Sequence, residues 1–232
     1  MGTGLLQQPR RTASRPLLPA AIRPLAVVLL TVCGVLTVAL GVWFAHHTRA
    51  GWLDREVDTR VQHLLHGHRV VLNRLAGLGD QIPMITMTAV LFVACLVTRR
   101  GRGAVLVVVA IPAAEVLTER VKPLFGRTLL GDLSFPSGHT TGVFAVAVTF
   151  TVLLADPPRP RLPAGLRVLL ALAALVVACA VAAALVGLND HYATDTVGGA
   201  AVATAVVLAT TLILDRVIKT SRPVSFESGS QD

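Results

Sequence analysis

The sequence predicts an all-α integral membrane protein, a bundle of six membrane-crossing helices with an amphipathic extracytoplasmic segment after the first. Three observations carry this. Of 232 residues, 53% are hydrophobic and the mean hydropathy is +0.69, more apolar than a soluble domain of this length ordinarily is. The apolar residues fall into blocks long enough to cross a hydrocarbon core of about 30 Å. The cations cluster at the ends of those blocks. This placement, with aromatics at only 4%, reads the formal charge of +8 as a topology signal and excludes nucleic acid as a partner.

The elements follow in order. Residues 1–23, with Arg10, Arg11, Arg15 and Arg23, read as a flexible cytoplasmic tail. The first span is Pro24 to Ala45; it is long for the apolar core of a signal peptide and no small-residue cleavage pattern follows it, so a retained helix is expected. Residues 46–80 space Trp52, Val57, Val61, Leu64, Leu65, Val71, Leu72 and Leu75 at roughly helical intervals among charges, the pattern of amphipathic helices at an interface. His46, His47, His63, His66 and His68 share no ligand spacing and read as polar-face residues.

The second span is Gln81 to Thr98, stopped by Arg99, Arg100 and Arg102. The third runs from Gly103 towards Val121, and Glu115, Glu119 and Lys122 stack on one face of it, with Glu115 expected to neutralise Lys122 or Arg120. The fourth is Ser137 to Ala155, followed by the stiff basic connector 156–163; the fifth is Leu166 to Leu188 and the sixth Thr194 to Leu214. The membrane domain is thus 24–219, and 220–232 reads as a disordered cytoplasmic tail. Cys33, Cys95 and Cys179 lie in apolar blocks and imply neither disulfides nor thiolate metal sites.

With the N-terminus inside, thirteen of the 21 cations fall on the cytoplasmic side and nine of the 13 acids on the other. The positive-inside rule then supports six spans with both termini cytoplasmic, and the plasma membrane is the expected location. Three polar segments land together on the extracytoplasmic side: Lys122 to Arg127, Pro136-Ser137-Gly138-His139, and His191 to Asp195. Ser137 is placed to cap a helix, and Gly138 lets a ligand approach the backbone. Free N–H groups at such a start, with His139 in the first turn, make an anion site suited to phosphate. Asp195 lies four residues after His191, so on a helix the two share a face. The carboxylate can then fix the tautomer of the imidazole and leave Nε2 free.

Together the three segments resemble the type 2 phosphatidic acid phosphatase (PAP2) family of membrane lipid phosphatases, over about residues 50–215. The resemblance implies a metal-independent phosphatase without cofactors, acting on a lipid phosphate or diphosphate in the membrane. It implies His191 as the nucleophile that becomes phosphohistidine, Asp195 as its orienting partner and His139 as the general acid. Lys122, Arg127, the Ser137 hydroxyl and the backbone at Gly138 would hold the phosphate oxygens. Candidate substrates are a polyprenyl diphosphate, phosphatidic acid or phosphatidylglycerol phosphate; the oligomeric state stays open.

Two positions depart from the family pattern. Its Arg-Pro seven residues after the lysine is here Leu129-Leu130, with Arg127 two residues earlier, and its Ser-Arg before the histidine is here Ala184-Leu185. A non-catalytic lipid-phosphate binding or transport protein, and a phosphotransferase, are therefore the rival readings. A metal site on His139, His191 and Asp195 is a third, opposed by the neighbouring cations.

Overall fold

The computed structural model describes residues 16–155 and 162–220, of which 218–220 by backbone only. Eight α-helices account for most of it: α1 (Arg23–Trp43), α2 (Trp52–Leu64), α3 (Arg69–Ala76), α4 (Gln81–Val97), α5 (Gly101–Phe125), α6 (Gly138–Ala155), α7 (Ala164–Leu188) and α8 (Ala193–Thr220). Six of them are long and overlap the apolar blocks of the sequence, and two end at a clear stop. Gly126 at φ 60° ends α5 and Asn189 at φ 64° ends α7, both in the left-handed conformation that closes a helix.

Among the described residues, four helices are long and apolar enough to cross a membrane: Ala20–Trp43, Gly138–Ala155, Ala164–Leu188 and Ala193–Val217. A fifth is reached if Arg69–Gly79 and Gln81–Val97, bent by 56°, are taken as one broken span. The α5 helix is not among them, yet it is central: Leu106, Val107, Ala110 and Ala114 on it are fully buried, and it packs on α4, α6 and α8.

The bundle has two chemically different ends. At one, Asp215 of α8 receives the backbone N–H groups of Leu17 and Leu18 and pairs with Arg23 at 3.3 Å. Arg100 and Arg167 close the same end on carbonyls of Leu153 and Leu154. At the other end gather the last turn of α5, the first turns of α6 and α8, and the short helices α2 and α3.

Two expectations are amended and one element is new. Within the supposed tail, Leu17 and Leu18 are buried and Ala20–Ile22 forms a 3-10 turn, since the Asp215 carboxylate holds this stretch against the bundle. Residues 1–15, 156–161 and 221–232 lie outside the described residues. The chain after α5 forms a small antiparallel hairpin, Thr128–Leu129 with Asp132–Leu133. Leu130 (φ 54°) and Gly131 (φ 98°) make its turn, the positive-φ pair a two-residue hairpin requires. Finally, α2 turns two aspartates, Asp54 and Asp58, inward and leaves Trp52 and Leu64 exposed. The inward face is polar because it meets a helix start.

Candidate active site

The α6 start is built as its sequence suggests. Ser137 immediately precedes the helix and its Oγ accepts the Thr140 N–H at 3.4 Å, so the hydroxyl is consumed as a cap and is fully buried. The Ser137 N–H donates to the Asp195 carbonyl at 3.0 Å, joining this start to the first turn of α8. The crossing is close because Gly199 has no side chain: a Cβ there would lie 2.5 Å from the Ser137 carbonyl oxygen. Among the described residues, the Gly138 and His139 N–H groups meet no protein acceptor.

Lys122 reaches this start from the last turn of α5. Its Nζ lies 3.6 Å from where a Gly138 Cβ would be and pairs with Glu119 at 2.6 Å. The partner is therefore Glu119, three residues away on the helix face, and not Glu115. The Glu115 carboxylate instead packs against Gly142, as does Met84.

His139 stands between two cavities. A large one, about 870 Å³, runs between α4 and α5 from Lys122, Gly138 and His139 past Glu115 to Phe92 and Val108. Its walls include Ile85, Val108 and Val116, which are exposed on the outside of the bundle. A smaller one, about 250 Å³, holds His139 and His191 together, with Asp80, Asp190 and Leu185. The two histidines thus share one polar hollow, and one of them also faces an apolar groove.

Their carboxylate partners differ in kind. His139 Nε2 meets Asp80 Oδ1 at 3.2 Å with both side chains well exposed. His191 Nδ1 lies 3.8 Å from Asp195 Oδ2, too far for a hydrogen bond, and is buried without a partner. That Asp195 oxygen accepts the Tyr192 N–H at 3.2 Å.

Arg127 lies in the scaffold behind the cavities. It is fully buried and lines neither cavity. One Nη donates to Thr194 Oγ1 and Asp195 Oδ1, both at 2.6 Å, the other to Asp54 Oδ2 at 2.5 Å. The rings of Phe44 and Tyr192 lie 4.3 and 4.4 Å from its guanidinium carbon. Two strong carboxylate pairs in a dry site hold it there. The neighbouring Asp58 accepts the Ala193 N–H at 3.0 Å; burial above all, then the nearby Asp54 and Asp195 charges, raises its pKa to about 6. Burial also raises the Tyr192 phenol.

Of the seven site residues read from the sequence, the structure gathers Lys122, Gly138, His139 and His191 around the cavities. It places Asp195 just behind His191 and withdraws Arg127 and Ser137 into the scaffold. Asp54, Asp58 and Asp80 were missed. Asp54 and Asp58 are four apart on one helix face, a pairing that marks a common target, but scattered acids in a polar segment did not single them out. Leu185, where the family pattern has arginine, lines the small cavity with both histidines. No three His, Cys, Asp or Glu side chains among the described residues are arranged to hold a metal ion.

Residues 118–219 match the family model of the PAP2 superfamily, a stretch containing all three motif segments, so the resemblance read from those segments is shown there. No curated protein matches the chain. Among solved structures, the chain is similar to the first transmembrane PAP2 type phosphatidylglycerolphosphate phosphatase from Bacillus subtilis, at 20% identity and a TM-score of 0.61. The match covers 85% of this chain and 98% of that one. The fold is therefore similar to that of this phosphatase, mainly helical and with several helices apolar enough to cross a membrane.

Proposed function

We propose that the protein is an integral-membrane lipid phosphatase that hydrolyses a phosphomonoester or diphosphate through phosphohistidine at His191. The observation that carries this is the shared hollow: His139 and His191 line one cavity, and His139 also lines the groove that Lys122 closes. The lipid tail lies in the apolar groove between α4 and α5, and the phosphate sits on the open Gly138 and His139 N–H groups beside Lys122.

His191 Nε2 attacks phosphorus and the bond to the leaving oxygen breaks, that oxygen taking its proton from His139. Asp195 receives the Nδ1–H as positive charge builds on the ring. His139, now neutral, takes a proton from water as the water oxygen displaces His191 Nε2 from phosphorus. Inorganic phosphate leaves and both histidines return to their starting states. The six-span count belongs to this reading, with α5 as one of the spans, both termini cytoplasmic and the motif end extracytoplasmic in the plasma membrane. The cation count and the arginine-rich opposite end support it.

A second reading, a non-catalytic lipid-phosphate binder, has one observation in its favour. Lys122 is the sole Lys or Arg among the residues lining the two cavities. One experiment separates the two: phosphate release by detergent-purified protein in EDTA from phosphatidylglycerol phosphate, phosphatidic acid and a polyprenyl diphosphate. The wild type is expected to release phosphate and His191→Ala to lose about 10³-fold or more. Lipid binding without release from any of the three would establish the binder, and activity lost to EDTA would restore the metal reading.

A further inference from the structure

We infer that Asp54 and Arg127 are positioning residues: the buried chain Asp54–Arg127–Asp195 sets the ring of His191, and Arg127 acts without touching phosphate. The inference rests on the reading of His191 as the nucleophile. Both Nη atoms of Arg127 are held, one by Asp54 of α2 and the other by Thr194 and Asp195 of α8, with the aromatic rings of Phe44 and Tyr192 against the guanidinium, while its Nε is buried without a partner. Such a bridge between two carboxylates needs a planar fork, which lysine lacks.

The consequence falls on Asp195. Its Oδ1 is held by Arg127 and its Oδ2 by the Tyr192 N–H, so the carboxylate cannot turn. His191 Nδ1 waits 3.8 Å away, buried and unpartnered. An approach of about 1 Å brings the pair to hydrogen-bond distance. With Asp195 clamped, that movement belongs to the imidazole, which ends with Nδ1 donating and Nε2 free for the cavity. If the clamp is loosened, the ring loses its fixed tautomer while the phosphate site at α6 is untouched.

Full-length protein in detergent tests this with Arg127→Lys and Asp54→Asn, methylphosphonate as a ground-state phosphate mimic that takes no bond from the nucleophile, and ¹⁵N-labelled histidine. In both variants kcat is expected to fall, by about 10²-fold for Arg127→Lys, the size of effect a misplacement of about 1 Å can have. KM and the methylphosphonate inhibition constant should stay unchanged, and the His191 ring ¹⁵N shifts, assigned by their loss in His191→Ala, should move towards mixed tautomers. The two losses should combine less than additively, as for residues acting through one chain of contacts. Weakened methylphosphonate binding in step with kcat would place Arg127 on the phosphate and overturn the inference, as would wild-type activity in either variant. Should Arg127→Lys fail to fold, Asp54→Asn decides. Should the wild type release no phosphate, the nucleophile reading fails separately. The ¹⁵N shifts still decide the positioning, and unchanged shifts would refute it.

Discussion

At the motif end two helix starts cross, and they meet the same electrostatic demand differently. The first N–H groups of α8, on Ala193 and Thr194, donate to Asp58 and Asp54 of α2, and Asp195 in its first turn takes the Tyr192 N–H. At α6, Ser137 Oγ takes only the Thr140 N–H, and the Gly138 and His139 N–H groups are left beside Lys122. Each start carries roughly half a positive charge. One is neutralised by the protein's own carboxylates and becomes a rigid anchor. The other is left open, and on the proposed reading it receives the substrate phosphate. The difference explains why a polar helix such as α2 is retained at this end: it fills the start that must not move.

The comparison depends on the two starts staying in contact, and Gly199→Val should break it most severely. The added Cβ meets a backbone oxygen that cannot turn aside, so a loss of about 1–3 kcal/mol of stability is expected, with phosphate release falling alongside. A thermal melt indistinguishable from wild type would show that the starts are not interlocked. Leu185→Arg sharpens the comparison from the open side by adding a guanidinium to the cavity that holds both histidines. KM for a lipid phosphate is expected to drop about tenfold, close to the net worth of a charge-assisted hydrogen bond. An unchanged or raised KM would mean that the cavity wall does not reach the phosphate.

Asp58→Asn probes the filled side and has the smallest effect. A carboxyl raised to about 6 in the folded state binds a proton there more tightly than in the unfolded chain. Its contribution is complete below pH about 4 and lost as pH rises through about 6. The wild-type melting temperature should therefore include a fall across that window that is absent in Asp58→Asn, since the amide oxygen still accepts the Ala193 N–H and titrates nothing. Identical pH profiles would remove Asp58 from the account.

Much of this was legible from the chain. The long helices follow from apolar blocks in the sequence, two of them with a Gly or Asn stop, and the motif segments lie at one end of the bundle, as expected from the sequence. The α6 cap could be read because Pro-Ser-Gly is local chemistry. Arg127 could not be read in the same way. Spacing from Lys122 counts residues, but Gly126 in the left-handed conformation turns the chain as it leaves α5, and Arg127 ends in the scaffold. Asp54 and Asp58 were illegible for a related reason: their target, a helix start some 140 residues later, exists only once α2 and α8 have packed. Asp80 lies in the bend between α3 and α4, a junction whose 56° angle no local pattern announces.

The groove between α4 and α5 has wall residues, Ile85, Val108 and Val116, that are exposed on the outside of the bundle. On the proposed six-span reading these face lipid, a molecule that reaches His139 along the groove comes from a two-dimensional solution, and the concentration that governs its rate is a mole fraction in the bilayer. Inert lipid or detergent added at constant substrate should then slow the reaction by dilution within the surface, while changing the aqueous volume should leave it alone.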